Sequence, residues 1–349
     1  MRRPLALGLA ALLALGVAAG LVVWLGGDET RLQRAVALAP AGTERLSWTD
    51  WTAVRRLVDA DLGASPDGEQ VVAFLDEAYA DDVTSTSALV GSSLTMQDAF
   101  GISPGTLDWE LFTQSPDGAV DVLGLGDPDE VPELADRLRD LGFTEPDEDD
   151  GVWAGGPDLL ARIGPDLTPE LQYVALLADE GIVLTSDQVA PLEAAVEVAR
   201  GDADALESVD EVVEASGSPV AASVFTGAHA CEQLAMASAD ADDQAEADAL
   251  LEQAGEVHPM TGFAMALRTD GDIRVAMSFE DDDTARTDAD TRATLASGPA
   301  PGQGGDFADR FTLEEAAAAD GVVTLDLAPV PGQYVLSDLT SGPVLFATC

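Results

Sequence analysis

Two cysteines, two histidines and 65 carboxylates are the side chains of this sequence best equipped to react or coordinate. His229 stands two positions before Cys231, as His-Ala-Cys. A thiolate nucleophile or a zinc centre would need that pair plus further ligands or an orienting partner, and none follows at ligand spacing. The second cysteine, Cys349, is the last residue given. The main expectation is one intramolecular disulfide, Cys231–Cys349, with two unpaired cysteines or an intermolecular bridge as alternatives. Closing a loop of more than 100 residues would contribute roughly 4–5 kcal/mol on the chain-entropy view, less any native strain. His258 precedes Pro259 where a strand is expected to begin, which suits a structural or surface role.

Gly101-Ile102-Ser103-Pro104-Gly105 has the letters of a hydrolase nucleophile elbow. That chemistry needs a buried strand before the serine and a helix after it. Met96-Gln97-Asp98-Ala99-Phe100 is not such a strand, so Ser103-Pro104 reads instead as a helix cap followed by proline at the first helical position. Acidic runs at 147–150, 240–243 and 280–283 lack the alternating donors, turn glycine and late bidentate carboxylate of a calcium loop. No Walker loop, dinucleotide fingerprint or zinc-protease pair occurs. No catalytic, cofactor-binding or metal-binding residue is nominated, and no cofactor is implied. Trp48, Trp51 and Trp109 form the one aromatic group that suggests a recognition surface, against core packing as the plainer reading.

The elements that would carry these residues are legible from periodicity. Thr43–Thr49 reads as a strand, and Trp51–Val58 and Gln70–Tyr79 read as helices. A helix starting at Ser103 would carry Leu107, Trp109, Leu111 and Phe112. Val131, Leu134, Leu138 and Leu141 sit at offsets 0, 3, 7 and 10, as do Val189, Leu192, Val196 and Ala199. Each set makes one apolar helical stripe packed on a sheet. Strands are expected at Ala119–Leu125, Val152–Trp153, Gln172–Leu177, Ile182–Thr185, Pro219–Phe225 and Gly321–Leu327. In the hairpin after Phe263, a three-residue 269–271 loop with left-handed Gly271 pairs Leu267 with Ile273 and Met265 with Val275. The tail Val344-Leu345-Phe346 reads as a further strand.

The order strand, helix, hairpin, helix, strand over 118–225 is that of a split strand-helix-strand unit, and 219–349 repeats it. The expected fold class is therefore α+β, with tandem ferredoxin-like units behind an N-terminal transmembrane helix. The expected regions are 1–27 as anchor or signal segment, 28–117 as a mostly helical extracytoplasmic region, and 118–225 and 219–349 as the two units. The anchor reading rests on Arg2-Arg3 followed by an uncharged run from Pro4 to Gly27, long enough to span a bilayer. It implies a single-pass membrane protein with its body on the extracytoplasmic side; signal cleavage and secretion are the alternative.

Against those 65 acids stand 16 arginines, with no lysine or asparagine, for a net charge of −49. Scarce isoleucine and absent lysine and asparagine fit a G/C-rich genome. Such acidity repels nucleic acid, and 46% hydrophobic residues provide a real core. Membrane contact is expected through the N-terminal segment only.

Ser47-Trp48-Thr49-Asp50-Trp51, Asp108-Trp109-Glu110-Leu111-Phe112, Gly151-Val152-Trp153, Cys231-Glu232-Gln233-Leu234-Ala235-Met236 and the ending from Leu336 to Cys349 carry a resemblance. In these segments the chain resembles an uncharacterised family of actinobacterial exported or membrane-anchored proteins, over nearly all of its length after the apolar segment. That family has no established activity, ligand or catalytic residue, so the resemblance implies location and G/C-rich origin alone. The leading functional expectation is a non-enzymatic cell-envelope interaction or structural protein whose partner is another envelope protein. An extracytoplasmic small-ligand or cation-binding module and a carboxylate-based hydrolase are the alternatives. Enzymatic activity ranks behind binding, because no coherent reactive constellation appears.

Overall fold

The structure, a computed structural model, describes residues 29–148 and 150–349. Eleven strands form one sheet: β1 Arg45–Thr49, β2 Trp109–Ser115, β3 Gly118–Gly124, β4 Val152–Ala154, β5 Tyr173–Leu177, β6 Ile182–Ser186, β7 Ala221–Thr226, β8 Gly262–Leu267, β9 Ile273–Ser278, β10 Phe311–Ala319 and β11 Val322–Pro329. Their order is β10-β11-β9-β8-β7-β1-β2-β3-β6-β5-β4, and every pairing is antiparallel. Most central strands are buried on both faces, so they read as near-continuous apolar runs rather than strict alternations.

This sheet corrects the tandem ferredoxin-like expectation. Closing the first unit would bring β7 back into its own strands. Instead β7 pairs with β1 and β8, and β1 and β2 separate it from β3. The region expected to be mostly helical thus supplies two strands at the sheet centre, and the pairing passes straight across 117/118. The helix expected from Ser103 is absent for the same reason. Trp109, Leu111 and Thr113 alternate with Glu110, Phe112 and Gln114, a period of two that pairing with β1 and β3 converts into strand β2.

The membrane expectation is also corrected. Among the described residues, no helix is long and apolar enough to cross a membrane. The 1–27 segment on which the anchor rested lies outside those residues. The fold is α+β, built on a large antiparallel sheet.

Helices cover both sheet faces. Over one face lie α1 (Arg31–Val36), α7 (Val189–Arg200) and α8 (Asp210–Ser216), packing with Trp48, Leu111, Val122, Leu184 and Val224. Over the other lie α2 (Trp51–Leu57), α3 (Gly68–Ala80), α4 (Ser93–Ala99), α5 (Glu130–Leu141), α6 (Pro157–Ile163), α9 (Gly227–Gln233), α10 (Ala241–Ala254), α11 (Asp282–Leu295) and α12 (Val335–Leu339). The α5 stripe buries Val131, Leu134 and Leu138 as expected, and Gly142 ends the helix in the left-handed conformation at φ 98°. The β8–β9 hairpin has the expected register, Leu267 opposite Ile273 and Met265 opposite Val275, with Gly271 at φ 91°. Val344-Leu345-Phe346 is not a strand: Leu345–Ala347 forms a buried single 3-10 turn.

Candidate functional site

Most residues with reactive potential are committed to holding the fold. Cys231 and Cys349 are disulfide-bonded, with Cα atoms 5.4 Å apart. His229 stacks on Phe225, and its Nδ1 lies 3.5 Å from Glu44. Ser103 is buried in a turn, where its hydroxyl donates to Gln97 Oε1 at 2.7 Å and accepts from the Gly105 N–H at 3.1 Å. It is neither a nucleophile elbow nor the expected helix cap.

His258 Nδ1 contacts Asp288 at 2.6 Å, which resembles part of a relay. No hydroxyl or thiol is hydrogen-bonded to that ring among the described residues. Asp288 instead anchors Arg292, whose buried guanidinium donates to Asp288 and to the carbonyls of His258, Phe346 and Thr348. Burial of Arg292 lowers its pKa, partly offset by Asp288. The network fastens the C-terminal tail.

The acidic runs act locally. Asp240 caps α10 and Asp281 caps α11 through backbone N–H groups, while Glu148 and Asp150 pair with Arg200. No group of three or more His, Cys, Asp or Glu able to hold a metal occurs among the described residues. Trp48 and Trp51 are buried on opposite sheet faces, and Trp109 stacks on Trp48 at 5.6 Å. Trp48 and Trp51 are thus core side chains and Trp109 packs half-buried against the core, so the three present no shared recognition surface.

Two other features stand out. The first is internal. Register aligns Ser47, Phe112, Asp121, Thr185, Val174 and Trp153 in one row across six strands. Glu110 lies on the same face, where Trp51 Nε1, the Ser87 hydroxyl and the Ala88 N–H donate to its carboxylate at 3.0, 2.7 and 2.6 Å. Burial outweighs those donors and pushes Glu110 up to about 7. Asp121 is held well above the ordinary carboxylate range, first by burial and then by the charges of Glu110 and Glu170. Both Asp121 oxygens, Thr185 Oγ1 and Trp153 Nε1 are buried without a hydrogen-bond partner.

The second feature is external and centres on α3. Asp67 and Gln70 close a capping box at its start, and Val71, Phe74, Leu75 and Ala78 turn inward at offsets 0, 3, 4 and 7. Val72 and Tyr79 point outward, 41% and 65% exposed. Beyond the helix, Asp82 adopts φ 58° and accepts the Leu336 and Ser337 N–H groups at 2.8 and 3.2 Å. Burial raises the Asp82 pKa against those bonds. This tie brings Tyr334 onto Tyr79, with ring centroids 5.8 Å apart. At the other end of the helix, Leu94 lies beside Gly68. Four of the five exposed large hydrophobics, Val72, Tyr79, Leu94 and Tyr334, thus line or adjoin one helix. A groove of about 280 Å³ opens at its C-terminal end between Asp81, Asp82, Val330 and Pro331.

No family model matches the chain, and no curated protein matches it. Among solved structures, crystal form I of TP0453 is similar over 87% of this chain and 96% of that one, at 5% identity and a TM-score of 0.35. A likeness this slight carries no functional argument.

The sequence contains a usable signal for the α3 surface. Val72 and Tyr79 fall outside the inward 0, 3, 4, 7 stripe, so a helix over 70–79 would have to expose them. Tyr334 carries no such signal, because its placement depends on Asp82 more than 250 positions earlier. The Asp121 row is equally hidden in sequence, since register across separate strands creates it.

Proposed function

We propose that this protein is a non-enzymatic interaction module whose α3 surface docks a basic, amphipathic segment of a partner protein. The observation that carries this reading is the gathering of exposed apolar residues along α3: Leu94 beside its first residue, Val72 two turns before Tyr79, and Tyr79 paired with Tyr334. Isolated exposed apolar residues are ordinary, whereas several gathered on one helix among polar groups have the form of an interaction site. Paired aromatics supply large contact area at little entropic cost.

Charge selects the occupant. Exposed Glu69, Asp76, Glu77 and Asp81 lie among these residues, and the sequence has no basic residue between Arg56 and Arg137. A basic partner would therefore gain both on-rate and specificity, while an acidic one would be repelled.

A photo-crosslinker placed at Val72 or Tyr79, with Glu211 on the opposite side as control, tests the reading. Capture of one basic protein from the α3 positions alone, weakened by salt, is the expected result. The same set of products from all three positions would sink it.

A further inference from the structure

We infer that Asp121 and Thr185 form a buried site for a monovalent alkali cation on the Glu110 face of the sheet. The two residues are direct register partners on β3 and β6 and project to the same face. Asp121 is 0% exposed and Thr185 1%. Neither carboxylate oxygen nor the hydroxyl has a hydrogen-bond partner. Buried polar atoms are nearly always paired, so three orphaned oxygens at one register position point to an occupant.

The donor set identifies its class. Carboxylate and hydroxyl oxygens favour a hard cation over a soft metal. Charge limits its valence. Glu110, the neighbouring buried acid, already accepts three hydrogen bonds, and half-buried Glu170 accepts the Thr168 hydroxyl, which leaves Asp121 as the buried carboxylate without a partner. With no group of three potential metal-ligating side chains among the described residues, the usual acidic shell of a divalent ion is missing. One positive charge neutralises Asp121, and water completes the coordination. The −49 net charge concentrates cations around the molecule and favours loading. This inference is independent of the α3 docking surface.

The test is the thermal unfolding midpoint of the oxidised protein as choline chloride is replaced by sodium or potassium chloride at constant ionic strength. A site near ten-fold saturation should raise the midpoint by about 2–4 °C. Asp121→Asn should lose that rise. If Asp121→Asn does not fold, Thr185→Val serves in its place, since it removes only the hydroxyl and should also lose the response. No rise in the wild type would overturn the site. An equal rise in wild type and variant would assign the effect to general screening and overturn it as well. A response to calcium alone would overturn the monovalent assignment.

Discussion

Glu110 shows what a single carboxyl costs when the fold closes over it. Three donors surround it, yet burial still lifts it to about 7. Because the folded value lies above the unfolded one, its contribution to stability is complete below about 4.5 and is lost as pH rises through about 7. In sodium-free choline buffer, wild-type stability should therefore fall between pH 5.5 and 8, on the order of 1–3 kcal/mol from this group. Glu110→Gln should flatten that slope while lowering stability at pH 5.5, since its amide cannot accept all three donors. Urea unfolding at the two pH values checks both outcomes, and an unchanged slope in the variant would remove Glu110 from the account. Gly227 poses a steric case: a Cβ there would fall 2.0 Å from the Met260 carbonyl oxygen. Gly227→Ala must displace backbone, so we expect a loss of at least 2 kcal/mol, roughly the scale of an overpacked core.

Helix α3 divides its work between two faces, and substitutions should separate them. Phe74 is buried and packs edge-on against Trp51 at 6.0 Å. Phe74→Ala should cost about 3–5 kcal/mol in chemical unfolding. Val72→Ser and Tyr79→Ser should each stay within about 0.5 kcal/mol of wild type while abolishing partner capture. Helices of this kind were legible because their stripes are strong, as in α5 and α7, and the β8–β9 register was legible because turn chemistry and face matching agreed. Elements held by distant partners were not. Composition misled in another way at β10, which reads Phe-Thr-Leu-Glu-Glu-Ala-Ala-Ala-Ala, favours helix, and becomes a strand by hairpin pairing with the adjacent β11 and packing on α11. The short turn at 345–347 is apolar enough to resemble a strand, but it docks into the core as the end of a chain held by Arg292. Of the site residues, the cysteine pair was expected and is joined, whereas Asp121, Thr185 and Tyr334 owe their placement to strand register and a distant tie that no local pattern announces.

The molecule as a whole is tied twice at its C-terminal tail, covalently and by Arg292. The disulfide links residues 118 positions apart. Replacing both cysteines with serine should lower stability by about 3–5 kcal/mol in unfolding measurements, an effect that reduction of the wild type should reproduce. Arg292→Ala should cost a comparable ~3–5 kcal/mol, because Asp288 would remain buried without its guanidinium partner and the tail carbonyls of Phe346 and Thr348 would lose their donor. One further consequence concerns synthesis of the chain. Strand β1 is made early, yet one of its two edges is satisfied only by β7. Until residue 226 has left the ribosome, the β1–β6 part of the sheet must carry an open, apolar edge at what will become the middle of the protein. Such an edge invites strand exchange between neighbouring nascent chains. A fragment covering 29–218 should therefore self-associate in sedimentation experiments, and a synthetic β7 peptide should suppress it. The nascent protein thus passes through its most aggregation-prone form just before its two halves are joined.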